Sequence, residues 1–432
     1  MTGGTPRLGS AERELLLSCA RVGHPKAAAI GRLLESGLDW KAVLFHARLH
    51  SVAPLLHHHL SALAPGRVPR HAARALLAMR HRAAYQNALF AEHHRAVVDA
   101  LRAAQVPVGV QKGLAVIEPL YGRLDLRPLI DLIYLVPGGR RDDAAAVLVS
   151  LGYEPQPQHP VDSLYRWSCP QTVLERAGRL EVAVILQEDL VSWPRAHGLR
   201  PEAVWAGTRE GEIAGRRVRL LDTTDQLLYL CLQADNHGHF NRVALDEMEA
   251  AELVFADWSN NRLIRFTDVY EAARRLDWDA DALAERAAAS GLGDAVRTTL
   301  TLTNRLLGTV APPELLDRVD VPGTPHIRRL VFRALAASEG TERSGLTAPV
   351  GRVWRSRRPR TQIRLARLLG LAEYAAPSVR RLRLRYRAAP RTALGPLAAL
   401  NPLAVLGRST LAFALTLRHR QRSRIPSASP SE

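Results

Sequence analysis

The residues whose types and spacing offer chemistry are Lys112-Gly113, Asp131 and Glu181. Among 59 lysines and arginines only Lys26, Lys41 and Lys112 are lysine, so an ammonium at a glycine turn stands out. A compact, flexible ammonium suits contact with phosphate or backbone carbonyls, although three lysines must fall somewhere by chance. Asp131 and Glu181 each begin an apolar run, Asp131-Leu-Ile-Tyr-Leu-Val136 and Glu181-Val-Ala-Val-Ile-Leu186. Carboxylates brought together from neighbouring strands can hold a divalent cation, and the cation can hold a nucleoside triphosphate.

Those residues need a scaffold of strands. Alternation and β-branched content predict strands over Val106–Val110, Leu132–Val136, Leu180–Leu186 and Arg217–Leu221. Between the first two lies a short helical stretch ending at Tyr121, and Arg141–Leu151 reads as a helix closed by Gly152. Upstream, helical spacing of Leu15, Leu16, Ala20, Ala29, Ile30 and Leu33 precedes a long amphipathic run over Ala75–Ala104. The expectation is an α+β protein, a small mixed β-sheet core flanked by N- and C-terminal helical domains. The expected divisions are a helical domain over 1–105, the core over 106–221 and a second helical domain over 222–310. An arginine-rich helical region over 311–424 and a disordered tail over 425–432 complete the chain.

The 432 residues carry a net charge of +17, and its distribution is uneven. Arg352 to Arg424 contains 18 arginines against the single acid Glu373, whereas residues 1–351 are nearly neutral. Such a segment favours a polyanion, nucleic acid or an anionic membrane surface, with a solvated arginine face as the alternative. The stretch Ala393–Leu417 is apolar, but Pro396, Asn401, Pro402 and Arg408 interrupt it, so no spanning helix is expected. Three cysteines, odd in number and far apart, argue against a disulfide framework. With no apolar stretch in Met1–Glu14, a cytoplasmic place is expected, with peripheral membrane contact through the arginine segment as a further expectation.

In order and spacing the central segment resembles the DNA polymerase β-like nucleotidyltransferase superfamily, in detail a group of bacterial nucleotidyltransferases. Their core reads as a hydrophobic strand, Lys-Gly, a helix with Tyr, then Arg-x-x-x-Asp-x-Asp and a hydrophobic strand. Lys112-Gly113, Tyr121, Arg127, Asp131, Leu135-Val136 and Gly152-Tyr153 match. Asp39-Trp40, His50, Pro54-Leu55, Asn87, Leu227–Leu232, Arg265, Asp268 and Tyr386 extend the likeness over roughly residues 12–420. The resemblance implies Asp131 and Glu181 as catalytic carboxylates and ligands of Mg²⁺ or Mn²⁺, Glu181 acting as ligand or as base. It implies that Gly113 lets the backbone approach the triphosphate of an NTP, and that Lys112 and Arg127 sit near phosphate or brace the loop. The implied reaction is in-line transfer of a nucleotidyl group to a hydroxyl acceptor with loss of pyrophosphate.

Two positions depart from the pattern. Ile133 stands where the second Asp is expected, on the same strand face as Asp131, and Ala183 stands where a histidine is frequent. An aliphatic residue there implies a weakened metal site. A catalytically inactive nucleotide-binding or scaffold protein is therefore the alternative, followed by a basic membrane- or nucleic-acid-binding protein. Asp125, six residues upstream of Asp131, reads as a loop residue. His237 and His239 sit at a helix end, where capping is the simpler reading than a metal, and His57-His58-His59 reads as an exposed helical edge.

Overall fold

Strand β2 (Asp131–Leu135) lies at the centre of a seven-stranded mixed sheet. The computed structural model describes residues 6–23, 25–156, 171–190, 199–237, 249–255 and 262–319. The segment 352–424, the tail, His239 and Cys169 lie outside the described residues. The remaining strands are β1 (Gly109–Val110), β3 (Glu154–Pro155), β4 (Gln171–Arg176), β5 (Val182–Gln187), β6 (Arg209–Ile213) and β7 (Arg216–Leu220). Their order across the sheet is β3-β4-β5-β2-β1-β7-β6. β2 pairs in parallel with β5 and β1 with β7, and the other neighbours are antiparallel.

Register assigns every side chain of β2 to a face. Asp131, Ile133 and Leu135 pair with Ala183, Ile185 and Gln187, and this set shares one face because side chains alternate along a strand. The opposite face carries Leu132, Tyr134, Val184 and Leu186, all buried in the main core. Tyr134 there stacks on His94 and meets its Nδ1 at 2.9 Å. His94 belongs to α5 (Arg70–Ala103), a 34-residue helix whose buried stripe runs Leu76, Ala83, Phe90, Val97 and Leu101. Such spacing lets one helix line a whole sheet face.

Helices α1 (Ser10–Cys19), α2 (Ala27–Leu33), α3 (Trp40–Leu49) and α4 (Ala53–Leu63) precede α5. Asp39 caps α3, its carboxylate accepting from Lys41 N at 2.9 Å and Ala42 N at 3.2 Å, an arrangement that stabilises a helix by about 1 kcal/mol. α6 (Leu114–Val116) runs into a π-helix (Ile117–Tyr121), and α7 (Arg141–Ser150) follows β2. α8 (Pro201–Ala206), α9 (Thr223–His237), α10 (Ala250–Phe255), α11 (Leu263–Arg275), α12 (Ala280–Ser290), α13 (Gly293–Leu307) and α14 (Pro313–Val319) complete the described elements.

Residues 1–157, 170–192 and 197–322 form one compact unit. One apolar core runs through it from Leu15 to Val319, so both helical segments share a core with the sheet. A second unit, 158–169, 193–196 and 323–432, lies outside the described residues. β1 is two residues long where five were expected from Val106, and β4 and β6 were not anticipated. β4 and β6 are rich in charge (Gln171-Thr-Val-Leu-Glu-Arg176, Arg209-Glu-Gly-Glu-Ile213), because one side of each is partly or fully exposed. No helix among the described residues is long and apolar enough to cross a membrane.

Candidate functional site

The turn after β1 closes against the start of β2. Gln111 N donates to Ile133 O at 3.3 Å, continuing the antiparallel pairing by one step. Lys112 follows in a bend, and Gly113 takes φ +73° and ψ −117°, a backbone region that side chains other than glycine's rarely reach. A Cβ on Gly113 would lie 3.4 Å from the Asp131 carbonyl. Lys112-Gly113 and Asp131 are therefore held at one end of the sheet by backbone geometry.

Charge at this end centres on Asp131. Burial lowers the proton affinity of the Lys112 ammonium, Asp131 opposes that shift, and Arg127 and Arg265 reinforce it. Arg265 is pulled down to about 9, by burial first, then by Arg262 and Arg127, while Asp268 and Asp131 oppose. Burial raises the Tyr229 hydroxyl, and the nearby charge of Asp131 raises it further.

Arg127 is occupied elsewhere. Its Nε and Nη2 donate to the two oxygens of Asp268 at 2.7 and 2.6 Å, both side chains being buried. Tyr121 donates to the same carboxylate at 2.7 Å. Burial alone would loosen the Arg127 proton, but Asp268 more than reverses this, so the guanidinium stays charged. Burial and then Asp268 push the Tyr121 hydroxyl well above its ordinary value, so it stays a donor. Asn87 completes the brace. Its Nδ2 donates to Leu124 O at 2.5 Å and Arg127 O at 2.8 Å, and its Oδ1 accepts from Leu129 N at 3.0 Å. The Asp268 pair and the Asn87 bonds tie the loop before β2 to α11 and α5.

Glu181 lies one residue before β5 and is exposed. Two positions before Ala183, the partner of Asp131, it has the strand parity of Asp131. Its described partner is Glu175, whose carboxyl is raised by burial and then by a hydrogen bond to Glu181. Glu175 pairs with Ala183, so Glu175, Ala183 and Asp131 form one row across three strands. Glu175 was missed because its strand carries no apolar alternation to mark it.

The next row on this face, Val173-Ile185-Ile133, is aliphatic, and the row after it is Gln171-Gln187-Leu135-Gly109. Leu135 packs with Leu190, Val204, Leu221 and Tyr229, with Trp205 beside them, so α8 and α9 cover that half. Four buried polar atoms here, Gln111 Oε1 and Nε2, Gln187 Oε1 and the Tyr229 hydroxyl, have no hydrogen-bond partner among the described residues.

Among the described residues no group of three or more His, Cys, Asp or Glu side chains is gathered to hold a metal ion. Asp131 has aliphatic neighbours along and across the strands and lies in the electrostatic reach of three cations, Lys112, Arg127 and Arg265. A hard divalent ion takes six or more oxygens in near-regular geometry. The donor set does not fit a two-metal clamp. Asp125 is paired with Arg80 at 2.7 Å and Arg123 at 2.9 Å. His59 is buried, its Nε2 2.6 Å from Arg21 O, so the histidine run is not wholly an exposed edge.

A family model described as an uncharacterised nucleotidyltransferase matches residues 36–308. No curated protein and no solved structure matches the chain.

Proposed function

Starting from the fact that this chain belongs to the uncharacterised nucleotidyltransferase family, we propose that it binds a nucleoside triphosphate beside Asp131 and transfers the nucleotidyl group to a hydroxyl acceptor, at a rate held down by Ile133. The observation that carries this reading is the closure of Lys112-Gly113 on the start of β2, with Gly113 against the Asp131 carbonyl. The turn lets backbone approach a phosphate chain, and Lys112 supplies charge beside it. The acceptor oxygen attacks the α-phosphorus in line, and the bond to the β-phosphate breaks. Pyrophosphate leaves, and the hydroxyl proton passes to a carboxylate, for which exposed Glu181 is the assigned base. Asp131 orients Lys112 and faces the reacting phosphate. Mg²⁺ or Mn²⁺ would supply Lewis-acid stabilisation to such a reaction, and a lone Asp131 with Glu181 at a distance is a poor cage for it.

A second reading, nucleotide binding without turnover, is favoured by one observation. Ile133 and Ile185 place hydrocarbon where a further carboxylate would extend the site. Pyrophosphate release separates the two. The protein is incubated with each of the four NTPs, Mg²⁺ or Mn²⁺ and host lysate. Release that disappears in Asp131→Ala supports transfer, whereas binding without release supports the second reading. The proposed polyanion contact through residues 352–424 is separate, and rests on the charge of that segment alone.

A further inference from the structure

Three rows of side chains cross β4 and β5 on the face that carries Asp131. Glu175 stands beside Ala183, Val173 beside Ile185, and Gln171 beside Gln187. The order along the strands is therefore carboxylate, hydrocarbon, amide, with Asp131 in the first row and Leu135 in the third. Val173, Ala183 and Ile185 are each partly exposed, which leaves an apolar strip open in the middle of this face. Gln187 is 2% exposed, and its Oε1 has no hydrogen-bond partner among the described residues. Its Nε2 donates to Gln171 Oε1 at 3.3 Å, so what this amide leaves unfilled is an acceptor.

The inner side of the strip is equally short of partners. Leu135 packs with Tyr229 of α9, whose buried hydroxyl bonds to nothing among the described residues. Gln226, three residues earlier and on the same helix face, seats α9 there by donating from Nε2 to Gln111 O at 3.1 Å. Gln111 lies in the Ile133 row, wholly buried, with both amide atoms unpartnered among the described residues. A buried polar atom without a partner costs stability, and native folds keep few of them. Here such atoms sit on three side chains around one partly exposed apolar strip. None of the three is charged, so the place suits a neutral molecule with a flat apolar surface and a hydrogen-bonding edge.

We propose that the nucleobase of the triphosphate lies on Val173 and Ile185, and that Gln187 and the Tyr229 hydroxyl read its hydrogen-bonding edge. The inference rests on the nucleotide reading above and adds a base subsite to it. The phosphates, beside Asp131 and the Lys112-Gly113 turn, take the first row. The amide row lies two rows further along, roughly 13 Å by strand geometry, which leaves room for ribose and base between them. Gln187 Oε1 accepts from a ring N–H or an exocyclic amine of the base, and the Tyr229 hydroxyl donates to an acceptor next to it.

Calorimetric titration of the full chain with ATP, GTP, CTP, UTP and inorganic tripolyphosphate, all with Mg²⁺, tests this. At least one NTP should bind about tenfold or more tightly than tripolyphosphate. The comparison cancels phosphate contacts made anywhere on the chain, the arginine segment included. Gln187→Met and Tyr229→Phe should each cut that advantage by about fivefold or more and leave tripolyphosphate binding unchanged. Thermal unfolding checks both variants. Tyr229→Phe removes a hydroxyl without a partner among the described residues and should melt no lower than wild type, so it decides should Gln187→Met fail to fold. Equal affinity for tripolyphosphate and every NTP overturns the inference and leaves the phosphate reading standing. An NTP advantage that either folded variant leaves intact places the base elsewhere, assigns the unpartnered atoms to buried water, and also overturns it. No binding of any probe overturns both.

Discussion

Ile133 and Ile185 pair side by side across the two parallel central strands, one step along the same face from Asp131 and Ala183. That relationship bounds the charged end of this face with hydrocarbon one step along it. Ile133→Asp would add a carboxylate two residues from Asp131 on the same face. Gln111 Nε2, on the residue paired with Ile133, and the Tyr229 hydroxyl have no hydrogen-bond partner among the described residues. The substitution should create Mg²⁺-dependent ATP binding at least about tenfold tighter than in wild type, as expected when a second oxygen ligand joins the first. Calorimetry with and without Mg²⁺ checks this, and Asp131→Ala in the same background should erase the gain.

The Arg127–Asp268 pair is buried and bidentate, so removing one partner strands the other. Arg127→Met and Asp268→Asn should each lower stability by about 3–5 kcal/mol in urea unfolding. Replacing both by apolar residues should cost clearly less than the two single losses together, because no charge is then left unpaired.

Gly113→Ala forces a side chain into φ +73° and brings a methyl to 3.4 Å from the Asp131 carbonyl. A loss of about 1–3 kcal/mol is expected from the backbone strain. Nucleotide affinity should fall with it, since relief of the strain moves Lys112.

Two buried histidines set an acid limit. Burial holds His50 down at about 3 and His94 at about 4. Both are neutral in the folded protein and bind protons near 6.5 when unfolded. Their contribution is therefore complete above pH 6.5 and is lost as pH falls toward 4 and then 3. Over that range His94 should remove about 3 kcal/mol and His50 about 5 kcal/mol. His94→Gln, which can still meet the Tyr134 hydroxyl, should flatten the pH dependence of the urea midpoint between pH 6.5 and 4.

Much of this was legible in the sequence. Apolar alternation located β2, β5 and β7, and the glycine and lysine marked the turn, because those signals depend on neighbours a few residues away. β4 and β6 escaped because they are partly exposed strands whose charged residues hide the alternation. Glu175 escaped with them: its place in the row with Asp131 comes from pairing across three strands, which no local pattern encodes. The partner of Arg127 was equally invisible, since Asp268 lies 141 residues away. Arg265 was singled out without a role, and only the packing of α11 against the π-helix region brings it into the field of Asp131.

The most direct test of transfer compares NTPs labelled at the α- and γ-phosphates, incubated with the protein and host lysate. Nucleotidyl transfer should put the α-label on an acceptor and leave the γ-label in pyrophosphate, with both signals lost in Asp131→Ala. Label reaching the acceptor from the γ-phosphate, or α-label transfer that persists in Asp131→Ala, would contradict the assignment of this site.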